Sequence, residues 1–246
     1  MDQVYETLVS RALELSASAN GKRVIVSLSG PPGSGKSTIA AHVVARLHAQ
    51  WRSQPTPQLV SQSESQTQTQ PHPQSAIVIP MDGFHHPKKY LDALPNRAEA
   101  YARRGAHWTF DASGVVTLIK TLRTTQADTS DSTPLYAPGF DHAIGDPVPD
   151  AICVTPDASF ILVEGNYLAF DEAPWREIGL LVDESWFVDV DEEIARRRIA
   201  QRHMQSGIEG SWEQAVARAE ANDLPNGVLI RERVSRVDVQ VVSAEE

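Results

Sequence analysis

Gly30-Pro31-Pro32-Gly33-Ser34-Gly35-Lys36-Ser37 has the spacing G-x-x-x-x-G-K-[ST], and it lies between two opposite patterns. Upstream, Val24-Ile25-Val26-Ser27-Leu28 is rich in β-branched residues and reads as a buried strand. Downstream of Lys36, the residues Ile39, Val43, Val44 and Leu47 recur at helical spacing. Strand, glycine loop and helix form the context in which this spacing makes a phosphate cradle. Glycines let backbone N–H groups turn onto phosphate oxygens, and the helix N-terminus adds partial positive charge. Lys36 supplies a compact cation for the β- and γ-phosphates, Ser37 a hydroxyl for Mg²⁺, and Thr38 a hydroxyl near the α-phosphate. The loop therefore predicts binding of a nucleoside triphosphate, with Gly30, Pro31, Pro32, Gly33, Ser34 and Gly35 forming the cradle.

Further strands follow outward from this loop. Ala76-Ile77-Val78-Ile79-Pro80 runs into Asp82, and Ser159-Phe160-Ile161-Leu162-Val163 ends at Glu164-Gly165. Trp186-Phe187-Val188-Asp189-Val190 ends at Asp191, and residues 237–242 form a candidate last strand. Helical spacing covers residues 2–18, ending near Asn20-Gly21, and residues 112–123. Asp191 caps a helix reaching Ser206-Gly207, with Glu192 and Glu193 in its positive first turn. Ser211 starts another, ending near Asn222. Short apolar strands alternating with helices imply a parallel sheet covered on both faces. Such sheets bind ligands at the carboxyl ends of their strands. Parallel strands would gather the glycine loop, Asp82, Glu164, and Asp189 with Asp191 on one edge. Residues 134–150 hold four prolines and two glycines, so they read as a long ordered loop or lid.

The 246 residues suffice for one α/β domain spanning residues 1–246 that buries a core without disulfides. Hydrophobic residues at 41% and charged residues at 22% exclude a wholly disordered or collagenous chain. Residues 53–75 are nearly all Gln, Ser, Thr and Pro, too polar to offset their ordering entropy, and read as a disordered insertion. A shorter polar stretch at 124–133 reads the same way. The net charge of −10 argues against general nucleic-acid binding. No apolar run approaches the ~20 residues of a membrane span. Asp2, Glu6 and Glu14 argue against a signal peptide or presequence, leaving the cytosol as the expected compartment. The single cysteine, Cys153, forms no intramolecular disulfide and is expected to be a buried strand thiol.

The acceptor side separates a kinase from other phosphate-loop proteins. Asp82 can orient or deprotonate an acceptor hydroxyl, against the alternative of a solvated Asp-Gly turn. Glu164 suits Mg²⁺ or its bound water, against a packing role. Arg198 and Arg202 share a helix face at i,i+4 and suit transferring phosphoryl charge. The alternative for them is a solvated basic face paired with Glu192 and Glu193. His85, His86, His107 and His142 all lie in loops without zinc-site spacing, and His85 is the candidate to hydrogen-bond a polar substrate. Trp108, Phe110 and Tyr136 are equally core or substrate platform.

The ordered series resembles the phosphoribulokinase/uridine kinase family of P-loop kinases. It comprises the P-loop, Met81-Asp82-Gly83-Phe84-His85, residues 103–111, Phe140-Asp141-His142, Val163-Glu164-Gly165-Asn166-Tyr167-Leu168, Val188-Asp189-Val190-Asp191, and Asn222-Asp223-Leu224-Pro225-Asn226. Within that family it looks most like the pantothenate-kinase-like branch. The resemblance implies a nucleoside-monophosphate-kinase-like, three-layer α/β fold with a five-stranded core parallel sheet. It implies ATP and Mg²⁺, with the γ-phosphate going to a hydroxyl of a small metabolite: a nucleoside, a pantothenate-like compound or a sugar. Asp82 matches the catalytic aspartate, Glu164 the acidic residue near Mg²⁺, and Arg198 and Arg202 the lid helix. Asn222 falls near the adenine, while His85, Arg104 and Asp141 fall on the acceptor side. His85 and Asn166 depart from the uridine-kinase pattern and leave the acceptor open. A homodimer is allowed for. The competing readings are an ATPase or regulatory nucleotide-binding protein without an acceptor, and an inactive scaffold.

Overall fold

The computed structural model describes residues 1–53, 75–125 and 133–245. The two stretches expected to be disordered lie outside the described residues at 54–74 and 126–132. In chain order the elements are α1 (Asp2–Ser18), β1 (Val24–Ser29), α2 (Lys36–Ser53), β2 (Ser75–Pro80), α3 (Lys88–Asp92), α4 (Arg97–Ala102) and α5 (Ala112–Thr124). There follow β3 (Leu135–Asp141), β4 (Asp146–Val154), β5 (Ala158–Gly165), β6 (Glu184–Val190), α6 (Glu192–Gln205), α7 (Trp212–Arg218), α8 (Leu224–Glu232) and β7 (Val239–Ser243).

β1 is buried at every position, as a strand covered on both faces must be. It pairs in parallel with β5 and β6, and the five-stranded sheet runs β2-β5-β1-β6-β7 with all pairs parallel. Side-chain alternation sorts the core into two layers. Val24, Val26 and Leu28 face α1 and α2, in a layer with Phe160, Leu162, Trp186 and Val188. Ile25, Ile161, Val163 and Phe187 face the other way, onto Val115, Ile119 and Leu122 of α5 and onto Trp175. The result is the three-layer α/β arrangement expected. Leu28 of β1, Pro80 of β2 and Glu164 of β5 are register partners, so their strands end level. The chain leaves this row at one edge, into the glycine loop and into the 3₁₀ turn Met81–Phe84 that carries Asp82.

Three local expectations need correction. Residues 134–150 are mostly not a loop: β3 and β4 pair as an antiparallel hairpin outside the main sheet. A two-stranded ribbon has only edges, so its prolines remove few ladder bonds, and the register shifts at Pro138. Cys153 is exposed, because its face of β4 meets solvent rather than a third layer. The helix begun by Ser211, whose hydroxyl accepts from the Gln214 N–H, does not stop at Asn222. It continues through a π-helical turn (Ala219–Asp223) into α8. Pro225 cannot donate to the ladder, and a π turn is one way to carry a helix past such a break.

Gly83 fixes the hairpin against the sheet edge. A Cβ at this position would lie 2.0 Å from the Pro138 carbonyl oxygen. Gly83→Ala should therefore push the hairpin away and cost about 1–3 kcal/mol, the range for overpacking. Denaturant unfolding checks this; an unchanged midpoint would contradict the packing described.

Candidate active site

Gly33 and Gly35 both take φ of +79°, a left-handed conformation that side-chain-bearing residues rarely adopt. These bends wrap the loop around the start of α2, where Lys36 begins the helix. Its side chain folds back, with Nζ donating to the Pro31 carbonyl at 3.3 Å. Lys36 is only 9% exposed, and burial pushes its pKa down to about 8. The nearby charges of Glu164 and Asp82 push it back up and that of Arg202 adds to the lowering, but burial is the largest influence. A buried ammonium short of counter-charge is primed for an anion. The Ser34 hydroxyl, buried in the same loop, has no hydrogen-bond partner among the described residues.

Glu164 closes β5 at 6% exposure and accepts from the Ser37 hydroxyl at 2.9 Å. Burial raises its pKa, and Lys36 offsets part of the rise. Ser37 Oγ and the Glu164 carboxylate are adjacent hard-oxygen donors. They fit a Mg²⁺ ion that takes its remaining ligands from water and phosphate. Lys36, Ser37, Thr38, Asp82, His142 and Arg202 line a cavity of about 650 Å³. The predicted loop, Asp82 and the lid helix therefore meet, and Glu164 bonds Ser37 at the edge of the cavity. Asp189 and Asp191 serve structure instead. Asp189 accepts from Arg231 of α8 at 2.8 Å, and Asp191 caps α6 through the Glu193 and Ile194 amides.

The two lid arginines divide. Arg202 reaches the electrostatic environment of both Lys36 and Glu164 and is otherwise loosely held, 3.7 Å from Asp223. Arg198 lines the cavity, but its guanidinium is committed elsewhere. It donates to the Gly33 carbonyl at 3.2 Å, the Ser243 hydroxyl at 2.8 Å and the Ala244 carbonyl at 2.7 Å, tying the glycine loop to the end of β7. Arg196 and Arg197 pair with Glu193 and Glu245 at the surface, where such pairs contribute about 0–1 kcal/mol. They belong to the solvated basic face.

On the acceptor side, the ring Nδ1 of His85 lies 2.9 Å from the Asp82 carbonyl oxygen. A carbonyl only accepts, so Nδ1 carries the proton and the neutral ring keeps Nε2 as an acceptor. The ring packs on Phe110 and Phe140, with centroids 4.0 and 4.9 Å away. Burial lowers its pKa, and the nearby positive charge of Arg104 adds to this. Phe110 is core, while Trp108 and Tyr136 are exposed. Asp141 is not presented to a substrate: its carboxylate accepts from the Ala143 and Ile144 amides and builds the hairpin turn. Its neighbour His142 takes the cavity position, a placement that only the tightness of this turn could have signalled. Asn222 does not reach the cavity either. Set inside the π turn, its amide donates to the Arg104 carbonyl at 2.9 Å.

No family model matches the chain. A Schizosaccharomyces pombe protein named "Putative uridine kinase C227.14" is 36% identical over 96% of this chain and 88% of its own length. An "ATP-dependent kinase-like protein notR′" of Aspergillus versicolor is 48% identical over 52% of this chain and 73% of its own. A crystal structure from Silicibacter sp. TM1040, described as a "putative fructose transport system kinase", superposes with a TM-score of 0.74. It is 30% identical, over 95% of this chain and 98% of its own. The chain belongs to the phosphoribulokinase/uridine kinase family of P-loop kinases.

The half-buried His85 ring has a consequence for stability. Its folded pKa lies below the ordinary 6.5, so below that pH the unfolded chain binds a proton the folded chain refuses. The neutral ring is tolerated fully above pH 6.5, and stability falls as pH drops below it. His85→Gln should flatten this acid limb of the stability profile, by at most about 1.4 kcal/mol per pH unit. Melting temperatures from pH 7.5 to 5.5 decide the matter; identical slopes would place the protonated ring comfortably in the fold.

Proposed function

We propose that this kinase transfers the γ-phosphoryl group of ATP to a hydroxyl of a small metabolite. The observation that carries the reading is Asp82: its carboxylate shares one cavity with Lys36, Ser37 and Arg202, beside His85 and His142. A nucleotide switch has no need of a carboxylate at that place with an aromatic and histidine wall behind it. The names borne by the relatives, a uridine kinase and a fructose transport system kinase, support a hydroxyl-bearing acceptor.

In this mechanism the glycine loop and Lys36 hold the triphosphate, and Asp82 hydrogen-bonds the acceptor hydroxyl and aims its oxygen at Pγ. The new O–Pγ bond forms as the bond to the bridging oxygen breaks. The leaving electron pair settles on the β-phosphate of ADP, and the hydroxyl proton passes to Asp82 or to water. Lys36 and Arg202 stabilise the charge on the moving group. Ser37 and Glu164 would hold Mg²⁺, which when bound neutralises the β- and γ-phosphate oxygens. Arg198 acts one step back, holding the glycine loop in shape.

ADP release with Mg-ATP, measured against nucleosides, pantothenate and sugars with Lys36→Ala as the blank, tests the reading. Asp82→Asn should lower acceptor-stimulated kcat by about 10²-fold or more with the fold intact. Arg202→Ala should cut kcat with little change in melting temperature, whereas Arg198→Ala should lower the melting temperature and raise the KM for ATP. ADP release that ignores every acceptor and survives Asp82→Asn would instead support a simple ATPase.

A further inference from the structure

On the acceptor side, the guanidinium beside His85 is already paired. Arg104 lies close enough to His85 to depress its protonation and sits over the Phe140 ring, 5.7 Å from the centroid. That ring also packs on His142, at 5.2 Å. Asp82, His85, Phe140, His142 and Arg104 therefore form one wall beside the phosphate loop. A free guanidinium there would be a receptor for a carboxylate or phosphate on the acceptor. This one is not free. It is half-sunk, with 15% of its side chain exposed, and Nη2 pairs with Asp146 Oδ1 at 3.1 Å. Nη1 donates to the Gly145 carbonyl at 2.7 Å, and Nη2 also reaches the His86 carbonyl at 3.2 Å. Asp146 is itself fixed, accepting from the Lys88 backbone amide at 2.9 Å. The neighbouring cations are occupied too: Arg103 holds the Ala221 carbonyl and the Asn226 side chain, and the Lys88 ammonium turns to the Ile144 carbonyl.

We propose that Asp146 is a specificity-determining residue: by neutralising Arg104 it fits the acceptor site to an uncharged hydroxyl compound and turns away acceptors carrying a carboxylate or phosphate. This deepens the kinase reading above and rests on it. An anionic acceptor at this wall would meet the carboxylates of Asp82 and Asp146 while Lys36 and Arg202 across the cavity hold the triphosphate, and taking the place of Asp146 on Arg104 would leave that partly exposed carboxylate without its cation. An uncharged acceptor meets instead the aromatic face of Phe140 and the Nε2 acceptor of His85.

The test uses pairs that differ in charge: uridine and uridine 5′-monophosphate, fructose and fructose 6-phosphate, pantothenol and pantothenate. Product formation with Mg-ATP should favour the uncharged member of a pair by tenfold or more in kcat/KM. Asp146→Asn, which keeps the size and the oxygen facing the Lys88 amide, should shrink that ratio at least tenfold. A second arm does not depend on the acceptor's identity. With the phosphate loop filled by Mg-AMP-PNP, sodium acetate is titrated against sodium chloride at equal ionic strength while the melting temperature is followed. The unaltered protein should show no saturable shift, and Asp146→Asn should show one. Preference for the charged members, or saturable acetate binding by the unaltered protein, would overturn the proposal. So would an Asp146→Asn protein that folds but gains nothing for anions. If Mg-AMP-PNP itself fails to stabilise the protein, the kinase reading beneath the proposal falls instead.

Discussion

A buried ammonium at Lys36, set against the buried carboxyl of Glu164, is the constraint on which the site depends. Burial lowers the lysine's pKa, and the two carboxylates nearby offset only part of that lowering. The fold tolerates this tension because parallel pairing of β1 with β5 puts Leu28 level with Glu164. The glycine loop then has one direction in which to turn, and it delivers Lys36 beside the acid. A bound triphosphate would relieve the lysine, and Mg²⁺ at Ser37 and Glu164 would relieve the glutamate. The electrostatics of these two groups thus favour one kind of ligand.

Around this centre the structure is stitched by groups that look catalytic but act on the backbone. Arg198 ties the glycine loop to the end of β7, and Arg231 ties α8 to the end of β6. Arg103 and Asn222 join the turn at residues 103–105 to the π turn and α8, while the Arg104 side chain joins the same turn to the β3–β4 hairpin. The Tyr167 hydroxyl donates to the Gly105 carbonyl from below. The π turn with α8 and the β3–β4 hairpin therefore share one short segment of chain.

The sheet and its phosphate loop were legible because their signals are local. The β-branched runs, the glycine spacing and the Asp191 and Ser211 caps each act within a few residues. The hairpin was hidden because four prolines argue against an interior strand, and nothing in the sequence announces a ribbon that stands outside the sheet. Cys153 followed from the same error: a residue read as part of a covered strand faces solvent when the third layer is missing. The helix from Ser211 reads in the sequence as ending near Asn222, yet a π turn carries it on past Pro225. The site was legible as a set of residues gathered on one edge, not as a division of labour. Arg198 and Arg202 are equivalent on a helical wheel. Only the tertiary arrangement shows that one is held by three backbone and hydroxyl partners and the other is loosely held. Asp141 and His142 exchange expectations for a similar reason, since a tight turn consumes the carboxylate and offers the ring.

The most direct measurement is the fate of the γ-phosphate. The protein would be incubated with Mg-ATP labelled at Pγ and an extract of small metabolites, in parallel with Asp82→Asn. Label appearing in an organic phosphate ester with the unaltered protein, and about 10²-fold less with the variant, is the result expected of a positioned hydroxyl acceptor. Label released only as inorganic phosphate, at equal rates from both proteins, would contradict it.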